Sequence, residues 1–562
     1  MKRELIVVTL LCCLILLLLS GSKIFSHEMF SFHDLTQAAR ISEFTLALEN
    51  GQVPPRMSHN LSFGMGYPIF NYYAPTAYWI TSGIHLLGFS IPVAIKASFL
   101  FSLLTLAIGM YVLLRGYFSA HISVMGAFLL ASSPFIALEI FVRGNLAEMW
   151  FLALLPVVLV MVRKVSQDPR PLSFVALVIL FSAFITSHNA LSILGFAIVM
   201  IFAYEHTHRK VTFLACAWGT ILSSYFLVPA FAELGLTYAK EIASHTDYMD
   251  HFVCVRQLWG SAWGFGGSIP GCIDGMSFMV GKSLLLVAMI GGILYAYTVF
   301  KNKLFVKTLL TSHVFFGALA FFGIFLSIKY SLFVWYIGEP LLKLFQFPWR
   351  FLGIGIIGLA FFAAYAISTI KNKWLQYACV ILVIGLTFYI NVGYFIPNPQ
   401  KTWSKEEFEK KFLSQEFIRD EVVFRVPEYI PKTVDYQKWL TLQEKNELVY
   451  DTVITPLDGG SVNEKSENIS TYDVRTSSKL FLVNKHYLPH WSIKVDGKAI
   501  VPDDFDSYGR PKISIISKEN FSQVSISYIQ TPIEKVSNMM TLASIIMLVC
   551  MVHPKIWQKL SH

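Results

Sequence analysis

Residues 4–44 read ELIVVTLLCCLILLLLSGSKIFSHEMFSFHDLTQAARISEF. Leu5 to Leu19 is nearly pure Leu, Ile, Val and Cys, the composition of a segment that sits in hydrocarbon. His33 and Asp34 then stand side by side, and Arg40 follows. An imidazole, a carboxylate and a guanidinium placed where a chain leaves a bilayer have two readings. They are solvated loop residues, or they are chemistry held against a substrate carried by lipid.

The composition supports a bilayer setting. The 562 residues are 55% hydrophobic and 15% aromatic, and only 14% are charged, against ~25% in soluble domains. This is a polytopic membrane protein. The formal charge of +9 does not indicate nucleic acid, because the basic residues are scattered singly in short loops, as topology signals are. Apolar stretches long enough to span are expected at about 4–22, 92–114, 119–138, 147–163, 171–187, 190–204, 212–230, 281–300, 308–328, 351–370, 375–396 and 537–553. No A-x-A-like site follows the first of them, so it reads as a retained signal anchor. Thr76–Phe89 is too short to span and is expected in the interface.

That choice fixes the orientation. With Thr76–Phe89 outside the count, Lys2 and Arg3 share a side with Arg115, Arg163, Lys164, Arg170, Arg209, Lys210, Lys301, Lys303, Lys307, Lys371, Lys373, Lys555 and Lys559. The positive-inside rule makes that side the cytoplasm. The N-terminus is then cytoplasmic, and 23–91, 139–147, 187–189, 231–280, 329–350 and 397–536 face outward. Cys254 and Cys272 share one outer loop, and a disulfide between them is expected in an oxidising compartment.

Asp34 precedes an amphipathic helix, with Leu35, Ala38, Ala39, Ile41 and Leu48 largely on one side, expected to lie on the membrane up to Asn50–Gly51. Residues 397–536 read as a separate outer domain. Ser404 and Glu407 form a capping box. KLFLV, WSIKVDGKAIV, KISII and QVSISYI read as strands, with Asp496–Gly497 as a hairpin turn. The expected organisation is a transmembrane domain over 1–396 with first outer loop 23–91, an accessory domain over 397–536, and a last helix with a tail over 537–562. The fold class is an all-α polytopic membrane protein of about twelve transmembrane helices with a C-terminal α+β or β-sandwich domain.

The unusual polar clusters fall on the outer face. EIFVRGNLAEMW carries Arg143 and Glu148, ITSHNA carries His188 and Asn189, and LFQFPWRFL carries Arg350. Ionisable residues at membrane depth are costly and are usually functional. A carboxylate after the first span suits a general base for an acceptor hydroxyl. Arginines and imidazoles suit a departing phosphate. No P-loop, GxGxxG, HExxH or CxxC pattern is present.

The stretch HDLTQAARISEFTLALENGQVPPRMSHNLSFGMGYPIFNYYAP, followed in order by RGNLAEMWFLALLP, SHN and FQFPWRFL, resembles bacterial membrane proteins labelled 6-pyruvoyl-tetrahydropterin synthase-related. Nothing in it looks like a pterin enzyme. The wider architecture resembles the C-type (GT-C) glycosyltransferases, which use polyprenyl-phosphate-linked sugars and typically invert at the anomeric carbon. The resemblance implies a glycosyltransferase at the outer face of the cytoplasmic membrane, with a glycan, lipid or protein acceptor. In it Asp34 is the catalytic acid and His33 orients it. Glu148 positions the acceptor or a divalent cation such as Mg or Mn, with Asp34 as the other possible ligand. Arg40, Arg143, His188, Asn189 and Arg350 bind substrate and phosphate. The alternatives are a flippase for a lipid-linked glycan and a non-catalytic envelope scaffold. A flippase would place ionisable residues deep in several spans, whereas here they gather at one face.

Overall fold

The computed structural model describes residues 2–243, 247–301, 312–441, 452–468, 470–516 and 519–551, with 553 and 557. Lys303, Lys307, Lys555 and Lys559 of the basic clusters, and the first residues of the 308–328 stretch, lie outside these.

Each of the twelve expected spans falls on an apolar helix, but length divides them. Six are long and apolar enough to cross a membrane: Ile91–Arg115, Leu146–Gln167, Lys282–Lys301, Pro348–Ser368, Lys373–Phe395 and Pro532–Cys550. Two bent pairs raise the number to eight, Ala120–Ala131 with Pro134–Arg143 and Arg209–Leu222 with Ser224–Ala232. The other four stretches form apolar helices of 10–17 residues, Glu4–Leu18, Pro171–Ile185, Leu191–Tyr204 and Ser312–Ser327. Among the described residues the structure thus supports six to eight spans where twelve were expected, and the start of the 308–328 stretch lies outside them.

Both bends have local causes. The first, of 43°, falls before Pro134, which has no N–H to continue a helix. The neighbouring groups are re-satisfied from other helices. Asn391 Nδ2 donates to the Ser132 carbonyl at 2.9 Å and Ser133 Oγ to the Val280 carbonyl at 2.7 Å. The second bend, of 65°, breaks at Ser223. Beyond it Pro229 leaves the Tyr225 carbonyl without its helical donor, and Arg56 Nη2 donates there at 2.8 Å.

The centre of the bundle is Leu352–Ser368, which buries every residue except Tyr365 and Ser368. It packs against Lys282–Lys301, Ser312–Ser327 and Ala120–Ala131. Glycines permit this approach. A Cβ on Gly291 would stand 2.0 Å from the Phe362 carbonyl oxygen, and one on Gly358 would stand 2.4 Å from that of Phe316. Small residues at such contacts bring helix backbones close where no hydrophobic effect drives association. On the periphery, Ile290, Ile293, Ile381 and Leu382 are exposed, as residues facing lipid are.

The helix after Asp34 is Thr36–Glu49, and it does not lie on a membrane surface. Buried residues occur all round it, Gln37, Arg40 and Glu43 among them. It packs against Thr76–Leu86, Ile91–Arg115 and two later helices, Lys405–Phe412 and Val422–Arg425. The apolar stripe read from sequence is one face of a helix covered on several sides. The capping box holds, with Ser404 Oγ accepting from Glu407 N at 3.1 Å and Glu407 Oε2 accepting from Ser404 N at 2.9 Å.

Beyond residue 452 the chain builds two antiparallel sheets over one core. One runs Val462–Asn468, Thr471–Thr476, Ser522–Tyr528, Trp491–Val495, Lys498–Ile500, and the other Ile454–Pro456, Leu480–Val483, Lys512–Ser514. Asp496 and Gly497 both adopt positive φ, as a two-residue hairpin turn of type I′ requires. Phe408, Phe417, Val422 and Trp439, from before this pair of sheets, belong instead to the core of the helical bundle.

Candidate functional site

Residues 31–34 dock as an extended segment. Ser31 N donates to the Lys401 carbonyl at 3.0 Å, His33 N to that of Val142 at 2.8 Å, and Asp34 N to that of Arg143 at 3.2 Å. Gly144, at φ 66°, permits this packing, because a Cβ there would fall 2.1 Å from the Phe32 ring. Asn145 then caps the helix Leu146–Gln167, its Oδ1 accepting from Glu148 N at 3.0 Å.

This docking encloses a cavity of about 850 Å³. His33, Asp34, Arg40, Arg143, His188, Asn189 and Arg350 all line it, although they come from four separate stretches of chain. Ile185, Ile193, Phe226, Leu227 and Phe231 add apolar lining.

Glu148 is not in the wall. It is fully buried behind the arginines, 2.7 Å from Arg143 Nη1 and 3.5 Å from Arg350 Nε. Glu139, also fully buried, accepts from Arg143 Nη1 at 2.6 Å. Arg350 Nη1 also donates to the Phe345 carbonyl at 2.8 Å, and the Arg143 guanidinium lies 4.3 Å from the centre of the Trp349 ring. The carboxylates offset the cost of desolvating two guanidiniums, and only the guanidiniums reach the cavity. The surface presented there is positive.

Asp34 is fully engaged. Its oxygens accept from Thr36 Oγ1 at 2.6 Å, from Gln37 Nε2 at 2.9 Å and from Arg40 Nη2. Arg40 is 1% exposed and lies 4.8 Å from the Tyr73 ring. Burial opposes its charge, but Asp34 and Tyr78 hold its pKa well above the usual arginine value. The expected pairing of His33 with Asp34 is not formed. His33 Nε2 meets the Phe265 carbonyl at 3.1 Å, and since a carbonyl only accepts, Nε2 carries the proton. Burial lowers the His33 pKa, opposed by that hydrogen bond. Phe265 lies in the loop closed by the Cys254–Cys272 disulfide.

His188 Nδ1 accepts from Leu191 N at 3.2 Å. Burial first, then Arg350 and Arg143, push its pKa well below the usual value, so it offers the cavity a neutral N–H and no charge. Asn189 has a tethering geometry, accepting from Ala74 N at 2.7 Å and donating to the Tyr72 carbonyl at 2.8 Å. Three lining residues escaped sequence reasoning, namely Arg425, Glu428 and Tyr429 of RVPEY. A carboxylate next to proline and tyrosine was the available signal, in a region where charge is otherwise ordinary.

Among the described residues, one group of three has the spacing to hold a metal ion, and it contains neither Asp34 nor Glu148. It is Glu233, His490 and Glu534. His490 Nε2 lies 3.0 Å from Glu534 Oε1 and 3.6 Å from Glu233 Oε2. Arg56 Nε stands 3.3 Å from Glu534 Oε1, and Thr531 and Asn71 donate to Glu233. Burial disfavours the imidazolium, but the two glutamates raise its pKa to about 9. Arg56 and a protonated His490 balance the two carboxylates here, and the same three side chains have the spacing to take a cation in place of the proton.

The family model for the 6-pyruvoyl-tetrahydropterin synthase related domain, described as a membrane protein, matches residues 70–396. The chain belongs to this family. No curated protein sequence matches it significantly. Similar solved structures include the apo oligosaccharyltransferase of Archaeoglobus fulgidus, at 12% identity and TM-score 0.43, covering 71% of this chain and 57% of that one. The same values hold for the Archaeoglobus fulgidus oligosaccharyltransferase AglB in complex with an inhibitory peptide and a dolichol-phosphate. A complex of the Archaeoglobus fulgidus enzyme with Zn and sulfate gives 15% identity and TM-score 0.39, over 70% of this chain and 54% of that one.

Proposed function

We propose that the protein is a membrane glycosyltransferase that moves a sugar from a polyprenyl-phosphate donor to an acceptor hydroxyl at the outer face of the membrane. One observation carries this reading. The same cavity offers two guanidiniums, a neutral imidazole N–H and apolar lining, which is the chemistry of a phosphate joined to a hydrocarbon tail. Arg143 and Arg350 bind the phosphate and stabilise the charge it gains as it leaves, and His188 donates to it. Glu139 and Glu148 fix the two guanidiniums from behind. Asp34, saturated by three donors, holds Arg40 and shapes the acceptor side, and His33 stands at its edge. The acceptor is a glycan, lipid or protein hydroxyl, and the outer region 397–536 helps to bind it.

The test is mass spectrometry of polyprenyl-phosphate sugars in lipid extracts from cells with the wild type, a deletion, or Arg350→Ala. The reading expects one lipid-linked sugar to accumulate in the deletion and the variant, with loss of one glycan decoration. Identical lipid-linked sugars in all three strains would refute it.

A further inference from the structure

A hydroxyl that attacks an anomeric carbon must give up its proton. Among the described residues, two carboxyl groups line the cavity, Asp34 and Glu428. Asp34 is committed to Thr36, Gln37 and Arg40. Glu428 is different. Its Oε2 is shielded from solvent and has no hydrogen-bond partner among the described residues. A buried carboxylate oxygen without a donor is costly, and such a group in a native cavity points to a role.

The backbone around Glu428 is held firmly. The Tyr67 hydroxyl donates to the Val426 carbonyl and accepts from Tyr429 N at 2.9 Å, so one side chain of the first outer loop brackets the residue on both sides. The Tyr429 ring stacks on Tyr72 at 5.4 Å. The ionisable groups whose fields meet Glu428 are Arg40 and Asp34 from the first outer loop, with Tyr67, Tyr429 and Tyr436. Burial raises its pKa, opposed first by the residue's own backbone N–H and then by Arg40. A carboxyl moved toward neutrality is suited to exchanging a proton near physiological pH.

We propose that Glu428 is the general base of the transfer and receives the acceptor's proton at its carboxylate, which lines the cavity. This rests on the glycosyl-transfer reading. The acceptor oxygen bonds to the anomeric carbon as the bond from that carbon to the phosphate oxygen breaks. The electron pair leaves with the phosphate, and the hydroxyl proton passes to Glu428. The acceptor class is therefore a hydroxyl compound, a sugar or a hydroxyl side chain, met by a base that the outer region supplies.

The experiment compares lipid-linked sugars in cells with the wild type, a deletion, Glu428→Gln and Glu428→Asp, each full-length chain quantified in the membrane. It also maps dicyclohexylcarbodiimide adducts on the purified wild-type chain. The expected result is accumulation in Glu428→Gln as in the deletion, from a turnover loss of about 10²–10⁴-fold, with partial relief in Glu428→Asp. Glu428 should carry the adduct and Asp34 should not. Accumulation in the deletion but not in Glu428→Gln overturns the proposal and leaves the transfer reading standing. No accumulation even in the deletion overturns both. If Glu428→Gln fails to reach the membrane, the adduct map decides, and an unmodified Glu428 overturns the proposal.

Discussion

At the scale of single residues, the site depends on how buried charges are paired. Glu148 is the clearest case, since it is fully buried and lies within 3.5 Å of both cavity arginines. Removing one partner of a buried pair costs about 3–5 kcal/mol, because the other charge is left without compensation. Glu148→Ala is therefore expected to lower the thermal unfolding temperature of the detergent-purified protein markedly and to abolish transfer. An unchanged unfolding temperature would show that the arginines do not depend on it. Arg143, His188 and Arg350 were legible in sequence because charge is rare in a chain that is only 14% charged. The role of Glu148 was not, since a sequence cannot tell which of two neighbouring ionisable residues faces a cavity and which stands behind it. Glu428 was hidden for the opposite reason, lying in a stretch of the chain where carboxylates are common.

At the scale of elements, glycine contacts and one charged cluster set the positions. Gly358→Val would drive a side chain into the Phe316 and Ala320 backbone, 2.4 and 2.5 Å from its Cβ. The helix carrying Arg350 would have to move away, at a cost of about 1–3 kcal/mol. The expected readout is a lower unfolding temperature together with weaker phosphate binding, whereas a wild-type profile would exclude this contact as a determinant. His490, in the sheet region, joins Glu534 at the start of the last helix and Glu233 at the end of a bent one, with Arg56 beside them. Its pKa is raised from 6.5 to about 9 in the folded protein. The stability it adds is thus fully present below about pH 6.5 and is lost as pH rises through about 9, a span on the order of 3 kcal/mol. Melting curves from pH 6 to pH 10 are expected to fall for the wild type and to be nearly flat for His490→Gln. Parallel curves would count against a protonated His490. The strands and the Asp496–Gly497 turn were legible because their signals are local. The burial of Thr36–Glu49 was not, because two of the helices that cover it, Lys405–Phe412 and Val422–Arg425, come from far later in the chain.

At the scale of the whole molecule, the scatter of basic residues predicts an orientation, and the site is made where stretches far apart in the chain meet. The apolar stretches were each visible, but their lengths in space were not, since bends at Ser132–Ser133 and Ser223 and the shorter helices depend on packing. The basic loops predict that Lys498→Cys reacts with an impermeant maleimide in intact cells and that Gln167→Cys reacts only after permeabilisation. The reverse pattern would invert the protein and remove the basis for an outward-facing site. The central claim is that the cavity holds a lipid-borne phosphate. Native mass spectrometry of the purified full chain titrated with a polyprenyl phosphate tests it most directly. One bound lipid, with affinity reduced at least about tenfold in Arg350→Ala, which corresponds to a loss of ~1.4 kcal/mol, is the result predicted. Equal binding by the wild type and the variant, or none by either, would contradict it.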